Sequence, residues 1–284
     1  MDVIREAAAF TVATDAARKS GRAVGLVPTM GALHQGHDAL ITRARDRGGF
    51  VAVSIFVNPK QFANGEDADR YPRDEAADLS RCERFGVDVV FAPSVLEVYP
   101  PDIDLPAPDP GPVGATFEGA SRPGHFQGVL TVVHRLLSLV GPTAAYFGEK
   151  DAQQLFLVRT MVANLRLAAE IVACPTVREP DGLAWASRNR FLTPDEREHA
   201  PSLFLGLSEA AVAARAGERD AAAVVAAIAR EVGAAGLARL DYAAVVDDAT
   251  FRPIATLDRP SRAIVAARFS GTRLIDNLLL PGPA

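Results

Sequence analysis

The sequence contains few cysteines and no long apolar run, and these absences narrow the class of protein. Its 284 residues include two cysteines, Cys82 and Cys174, which are far apart and lack the C-x-x-C spacing typical of metal and redox sites. We therefore expect two reduced, mostly buried thiols. No apolar run approaches the roughly 20 residues that cross a bilayer, and the first residues lack the basic and apolar parts of a signal peptide. These absences predict a cytoplasmic protein without a membrane partner.

The sequence also lacks a net positive charge. The formal net charge is −5 and no basic cluster stands out, which argues against nucleic-acid binding. A small anionic ligand still fits an acidic protein, because backbone amides and a few Lys or His side chains can bind phosphate. The composition, 49% hydrophobic and 23% charged, is that of a globular chain, and the length suits a large α/β domain with a smaller second domain.

Short apolar runs alternate with helical stretches in the first part of the chain. The predicted strands are residues 23–27, 50–57, 87–92, 144–147 and 168–173. The predicted helices are residues 36–47, 74–85, 127–140 and 151–165. Continuous apolar strands separated by helices are typical of a parallel sheet covered on both faces, so we predict an α/β, Rossmann-like fold. Ligands of such sheets bind at the carboxyl ends of the strands, where we expect the chemistry.

The rest of the chain has a different pattern. A stretch rich in Pro and Gly, residues 100–123, predicts a long surface excursion with the character of a flap. Residues 194–235 are Ala-rich and helical. Strand-like segments follow at residues 241–246, 263–269 and 272–280. Because helices followed by strands indicate a separate, smaller α+β domain, we predict domains at residues 1–176 and 177–284.

The string VPTMGALHQGH joins a predicted strand to a predicted helix and carries two of the five histidines, His34 and His37. Gly31 permits a tight turn, and Gly36 allows a ligand to approach the backbone where the helix begins. Free N–H groups at that helix end suit a phosphate, to which the imidazoles can donate hydrogen bonds. The His-x-Gly-His pattern resembles nucleotidyltransferases and class I aminoacyl-tRNA synthetases, and the wider string resembles pantothenate synthetases. The resemblance implies that these residues and Met30 bind ATP.

A second strand-end string, SIFVNPKQF, carries two amides. Pro59 cannot continue a central strand, so the chain turns there and we expect Asn58 and Gln61 to point their amides into the crevice, where they suit a hydroxy acid. A polar loop explains them as well, but the string resembles FVNPxQF of pantothenate synthetases, which implies that Gln61 contacts pantoate. The string RPGHFQGV resembles a segment near the pantoate pocket of that family, which implies that its Arg122 binds pantoate. The alternative is that Arg122 forms a surface ion pair.

The string YFGEKDAQQL is the second strong motif. We expect Gly148 to turn the chain after a strand and Asp151 to cap the following helix. Lys150 can place a compact cation against triphosphate oxygens, and Gln154 lies one helical turn beyond it. The string resembles FGEKDxQQL of pantothenate synthetases, which implies that Gly148 and Asp151 hold the nucleotide. It also implies a phosphate contact by Lys150 and a pantoate contact by Gln154.

The predicted domain junction carries PTVRE and GLAWASRNRFL. It resembles PTVRExDGLAMSSRNxYL of pantothenate synthetases, which implies ATP contacts by Val177, Ser187 and Arg188 and a loop that closes over the triphosphate. The match has departures. Ala186 replaces a Ser, which removes a hydroxyl whose phosphate hydrogen bond would contribute ~0.5–1.5 kcal/mol. Trp185 replaces a Met and serves either as a packing anchor or as a stacking partner for adenine.

Together these resemblances imply the pantothenate synthetase reaction. ATP activates pantoate as an acyl-adenylate, which β-alanine then attacks. The implied catalytic residues are His34, His37 and Lys150, which stabilise charge on the departing pyrophosphate. We expect Mg²⁺ to arrive with the ATP phosphates and not to occupy a protein metal site, with Asp78 as a candidate for an outer contact. The family further implies a homodimer and a C-terminal domain that acts as a lid.

Two other classes remain open. The His-x-Gly-His turn alone also fits a nucleotidyltransferase that stops at nucleotide transfer, although the strand-end Gln residues and the junction string speak against it. A non-catalytic nucleotide-binding protein on the same scaffold is the other class. It would be favoured by a degraded site, whereas both histidines, Lys150 and Arg188 are present.

Overall fold

The computed structural model describes residues 1–62, 71–234 and 236–282 and divides into two compact units. The first unit is Met1–Glu149 with Gln153–Pro175, and the second is Lys150–Ala152 with Thr176–Ala284. Ala235, the last residue of the predicted Ala-rich helical region, lies outside the described residues. No helix in the described part of the chain is both long enough and apolar enough to span a bilayer.

The first unit is built on a parallel sheet. Among the described residues it has six strands in the order β1-β4-β3-β2-β5-β6. The strands are β1 (Asp2–Ile4), β2 (Val24–Thr29), β3 (Phe50–Ile55), β4 (Val89–Phe91), β5 (Ala144–Gly148) and β6 (Glu170–Cys174). The helices are α1 (Ala7–Lys19), α2 (Gln35–Asp46), α3 (Glu75–Arg84), α4 (Val95–Val98), α5 (Glu118–Ser121), α6 (His125–Val140) and α7 (Ala152–Asn164). The α7 helix begins in the second unit and continues in the first.

Apolar side chains cover both faces of this sheet. Leu26 of β2 packs in a core cluster with Phe10 of α1 and Leu137 of α6. The next residue, Val27, points the other way and packs in a second cluster with Ile41 of α2 and the α3 side chains. Since successive strand residues face opposite sides, the central strands β2 and β3 are apolar on both faces, except at Thr29 and Ser54 near their carboxyl ends. The predicted Rossmann-like α/β fold is confirmed.

The strand order reverses between β2 and β5. These two strands are hydrogen-bonded neighbours, with Gly25 opposite Ala144 and Leu26 opposite Ala145. The chain continues outward from β2 to β3 on one side and from β5 to β6 on the other. In open parallel sheets, ligands bind beyond the carboxyl ends of strands at such a switch point. The two strongest sequence motifs follow β2 and β5, and therefore leave the sheet at adjacent positions.

Some features of the first unit differ from the sequence prediction. The edge strand β1 and the helix α1 were not among the predicted elements. The Pro- and Gly-rich stretch contains regular structure, namely a 3-10 turn at Pro112–Ala115 and the short helix α5. The buried amide of Gln153 holds it by donating to the carbonyls of Val113 and Thr116 at 2.8 and 2.9 Å.

The second unit is a smaller α+β structure. Within the described residues its antiparallel sheet has three strands, β7 (Ala238–Asp247), β8 (Ser261–Phe269) and β9 (Thr272–Leu280). Its helices are α8 (Pro194–His199), α9 (Ser202–Arg215) and α10 (Ala221–Gly233). Leu207 of α9, Ile228 of α10 and Val265 of β8 share one apolar cluster, so the Ala-rich helices cover one face of the sheet. The predicted α+β character of this region is confirmed.

Candidate active site

The turn after β2 is fixed by a carboxylate from α3. Asp78, only 4% exposed, accepts hydrogen bonds from the backbone N–H of Ala32 at 2.9 Å and of Leu33 at 2.7 Å. Gly31 has φ +81°, and a Cβ there would lie 2.8 Å from Asp78 Oδ2, so both conformation and space require glycine. Burial raises the pKa of Asp78, while the two N–H donors oppose that shift. Both oxygens of this carboxylate therefore bind the protein backbone.

His34 and His37 cap the start of α2. The Nδ1 atom of His34 accepts from the N–H of Gly36, and the Nδ1 atom of His37 accepts from the N–H of His34, both at 3.2 Å. The ring centroids are 4.2 Å apart. Because each Nδ1 acts as an acceptor, the proton of each neutral ring resides on Nε2. The structure thus brings His34, Gly36 and His37 together and makes each imidazole an Nε2–H donor.

The environment keeps the ring of His37 neutral. Its pKa is lowered to about 3, first by burial and then by the neighbouring His34 and the guanidinium of Arg81. Arg81 is itself held by a bidentate pair with Asp38, at 2.5 and 2.6 Å. At neutral pH the side chain of His37 is therefore an uncharged donor, which becomes more basic when an anion binds beside it.

Gln61 follows β3 in a 3-10 turn at Pro59–Gln61 and lies beside the turn after β2. Its Nε2 is 2.9 Å from the sulfur of Met30, and its Oε1 accepts from Asn58 Nδ2 at 3.1 Å. Met30 and Gln61, assigned from the sequence to ATP and pantoate respectively, are thus neighbours. The side-chain amide of Gln61 carries two N–H groups, so it can donate one hydrogen bond to a ligand while it keeps its contacts with Met30 and Asn58.

The expectation that Asn58 points its amide into the crevice is wrong. Asn58 is 1% exposed, and its Nδ2 donates to Gln61 Oε1 and to the Gly128 carbonyl at 3.0 Å. Its Oδ1 accepts from the Lys60 N–H at 3.2 Å and from the Tyr99 hydroxyl at 2.8 Å. Since the protein uses both amide hydrogens, Asn58 shapes the turn and orients Gln61.

His125 and Gly128 of α6 lie against the turn that carries Gln61, and sequence reasoning gave neither residue a role. The Nδ1 of His125 lies 2.9 Å from the Gln61 carbonyl oxygen. The Nε2 of the same ring lies 3.1 Å from a guanidinium nitrogen of Arg122, so the side chain of Arg122 also lies beside this turn. A Cβ on Gly128 would meet the Lys60 carbonyl oxygen at 2.1 Å, so this glycine permits close backbone contact. Gly128, the second glycine of RPGHFQGV, was a usable signal, because glycine lets two backbone segments come closer than any Cβ would permit.

The end of β5 is open on one side. Gly148 is the last residue of the strand, and its φ lies outside the left-handed region. The expectation that Gly148 turns the chain is therefore wrong. The following residues, Glu149–Asp151, make the turn. Apart from the residues on either side of it in the sequence, no atom of the described part of the chain would lie within 4 Å of a Cβ at Gly148. Gln154 is half-buried in the first turn of α7, whereas the adjacent Gln153 is buried.

In the second unit, the Lys150 side chain is 19% exposed and its Nζ lies 4.0 Å from the Asp151 carboxylate. The junction strings fold as a short hairpin, in which the Trp185 N–H donates to the Val177 carbonyl at 3.0 Å. Val177, which the family resemblance assigns to ATP, and Trp185, a candidate for stacking on adenine, are therefore adjacent.

A 3-10 turn at Ser187–Phe191 follows this hairpin and contains Ser187 and Arg188. Its Asn189 donates to Glu179 Oε1 at 3.0 Å and to the Ala184 carbonyl at 3.1 Å. These bonds fix the start of the turn to the hairpin. Ser187 is half-buried, and the side chain of Arg188 is exposed.

Comparison with known proteins shows the family to which the chain is related. The sequence profile of the family described as Pantoate-beta-alanine ligase matches residues 2–279. A pantothenate synthetase of Rhizorhabdus wittichii is 52% identical over 267 residues, 94% of each chain, and one of Rubrobacter xylanophilus is 50% identical over 271 residues, 93% of each.

Solved structures agree in fold. The crystal structure of pantothenate synthetase from Thermus thermophilus superposes with a TM-score of 0.92 at 46% identity, over 99% of this chain and 100% of that one. A Francisella tularensis pantoate-beta-alanine ligase, complexed with beta-gamma ATP and beta-alanine, has a TM-score of 0.81 at 34% identity, over 98% of this chain and 97% of that one. The resemblance drawn from the sequence is confirmed, and the chain belongs to the pantoate-beta-alanine ligase family.

Proposed function

We propose that this chain is an ATP-dependent ligase that joins pantoate to β-alanine through a pantoyl-adenylate intermediate. The observation that carries the proposal is the pair of Nε2–H donors of His34 and His37 at the start of α2, beyond the carboxyl end of β2. Such donors suit the charge that moves onto pyrophosphate when the α-phosphorus is attacked. The Francisella relative was solved with a nucleotide and beta-alanine, which supports the substrate assignment.

In the first step, a carboxylate oxygen of pantoate attacks the α-phosphorus of ATP. The bond from that phosphorus to the bridging oxygen breaks, and the electron pair leaves with pyrophosphate. His34, His37 and Lys150 stabilise the departing charge, and Mg²⁺ enters as part of the ATP substrate. Met30, Gly31 and the end of β5 at Gly148 border the nucleotide. These assignments extend the family resemblance residue by residue.

Gln61, Gln154 and Arg122 hold pantoate so that its carboxylate lies in line with the α-phosphorus. Gln61 has the best-defined position of the three, because Asn58 fixes its side-chain oxygen and His125 fixes its carbonyl. Holding two reactants in an attack geometry accounts for several kcal/mol of barrier reduction in such reactions, on the order of 7–11 kcal/mol at the limit. In this proposal Asn58 orients Gln61 and does not contact pantoate directly.

In the second step, the β-alanine amine attacks the acyl carbon, the bond to the AMP oxygen breaks, and the amine loses a proton. The second unit acts as a lid over the reactive adenylate. Asp151, Val177, Trp185, Ser187 and Arg188 complete the ATP contacts. We also propose a cytoplasmic homodimer, as the family resemblance implies.

AMP release from ATP, with each acid omitted in turn, tests this function. We expect release only when pantoate and β-alanine are both present, and loss of release in His37→Ala. His199→Ala, in α8, is the matched control and should behave like the wild type. Pyrophosphate release without AMP, or turnover with an amine other than β-alanine, would contradict the proposal and favour a nucleotidyltransferase or a different acceptor.

A further inference from the structure

A buried asparagine of the C-terminal sheet holds the backbone of Lys150. Asn277, on β9, is 5% exposed, and its Nδ2 donates to the Lys150 carbonyl at 2.9 Å. The two residues are 127 positions apart in the sequence and belong to the same compact unit. A buried side-chain amide that reaches a distant carbonyl restrains that peptide group in space.

The orientation of the Asn277 amide is determined by a second contact. Arg262 donates from Nη1 to Asn277 Oδ1 at 2.6 Å, and its Nε donates to Asp248 at 2.7 Å. A guanidinium can only donate, so the oxygen of the amide must face Arg262. The nitrogen must then face the Lys150 carbonyl, and the amide cannot flip without placing two donors against each other.

The strand that carries Asn277 is equally well held. Arg178 forms a bidentate pair with the buried carboxylate of Asp276, at 2.6 and 3.0 Å, and stacks on the ring of Phe204 at 3.9 Å. Asp276 in turn accepts from the N–H of Asn277 at 2.8 Å. A bidentate, stacked arginine gives a rigid support, because its geometry satisfies both oxygens at once.

We propose that Asn277 is a positioning residue for Lys150, which it holds so that the ammonium group meets the ATP phosphates. The inference rests on the proposed function for the role of Lys150. A lysine is a flexible point charge on a long stem, so its contribution depends on where its backbone is anchored. Asn277 touches no substrate in this scheme. Its task is to restrain the peptide group that carries Lys150.

Asn277→Asp is the informative variant. It keeps the shape of the side chain and an acceptor for Arg262, but a carboxylate cannot donate to the Lys150 carbonyl. We expect the dissociation constant for ATP, measured by equilibrium binding, to rise about tenfold, equivalent to ~1.4 kcal/mol, with an unchanged KM for β-alanine. Arg273→Gln, on the same strand and away from Lys150, should leave ATP binding unchanged although it breaks the contact to Asp241.

A double-mutant cycle with Lys150→Ala separates positioning from other effects. If Asn277 acts through the lysine, Asn277→Asp has almost no further effect on ATP binding in the Lys150→Ala background. A full additional loss there would overturn the proposal, since it would mean general destabilisation or direct repulsion of phosphate by the new carboxylate. Asn277→Ala, checked by thermal unfolding, repeats the cycle without the added charge.

The result can be distinguished from failure of the proposed function. ATP binding is measured without pantoate or β-alanine, so coupling in the cycle supports positioning even if AMP release does not depend on both acids. Conversely, a wild type that requires both acids but shows no coupling between Asn277 and Lys150 would refute the positioning role alone.

Discussion

Asp78 accepts a hydrogen bond from the backbone N–H of Leu33 at 2.7 Å, across 45 positions of sequence. The contact places a buried carboxylate of α3 under the turn that leads into the two capping histidines. The geometry of the turn between β2 and α2 thus depends on a helix that comes later in the chain.

Asp78→Asn should weaken this turn. An amide offers one acceptor and would place its NH₂ group against one of the two backbone donors, so we expect a loss of about 1–3 kcal/mol in unfolding free energy. The catalytic efficiency with ATP should fall, and added Mg²⁺ should not restore it. Asp74→Asn is the matched control, because Asp74 caps the same helix and Asn caps equally well. Restoration by Mg²⁺ would instead indicate the outer metal contact considered from the sequence.

Gly128→Ala should displace the turn that carries Gln61. The new methyl would lie 2.1 Å from the Lys60 carbonyl oxygen, so α6 or the turn must move. Overpacking of this kind costs about 1–3 kcal/mol, and we expect a raised KM for pantoate with a smaller change for ATP. Gly233→Ala in α10 has nothing within 4 Å among the described residues and should be stable and active. Equal pantoate kinetics in the two variants would argue against a role for this turn.

The sequence predicted five of the six strands that the structure describes in the first unit and the helices α2, α3, α6 and α7. The central strands β2 and β3 were easy to detect because they are apolar except at Thr29 and Ser54. The sequence did not predict β1, a three-residue edge strand that is largely exposed and pairs with β4 more than 80 positions later. An edge strand of that length has no apolar run to detect, and only its partner identifies it.

Side-chain roles were harder to predict where the partner is distant. Asn58 was expected to contact a ligand, yet its donors go to Gln61 and to Gly128, which lies 70 positions away. Sequence motifs identify which residues are near a site. They do not reveal which polar groups the protein itself uses, because that depends on burial and on contacts between distant segments.

His37→Asn should change how stability depends on pH. The folded pKa of His37 is about 3 and the ordinary value is 6.5, so folding favours the neutral ring. Its contribution is therefore present above pH 6.5 and is lost as the pH falls toward 3. Asn keeps an acceptor for the His34 N–H but does not titrate. Between these limits the wild type should lose at most about 1.4 kcal/mol more unfolding free energy per pH unit than the variant. If the unfolding free energies of the wild type and the variant changed equally with pH, the lowered pKa of His37 would be contradicted.

Gly148→Ala tests whether the nucleotide occupies the open side of β5. The added methyl meets no described atom within 4 Å, and the backbone is not left-handed, so the variant should fold with unfolding free energy within about 1 kcal/mol of the wild type. If ATP lies against this backbone, the methyl takes up space that the nucleotide needs, and we expect ATP affinity to fall by about tenfold or more, ~1.4 kcal/mol. The KM for β-alanine should change little, because in the proposed reaction that substrate enters after the adenylate forms. Equilibrium binding of ATP to the folded variant is the decisive measurement, since it separates a blocked site from a damaged fold. Unchanged affinity would place the nucleotide away from Gly148 and would leave the His34 and His37 turn as the primary phosphate contact.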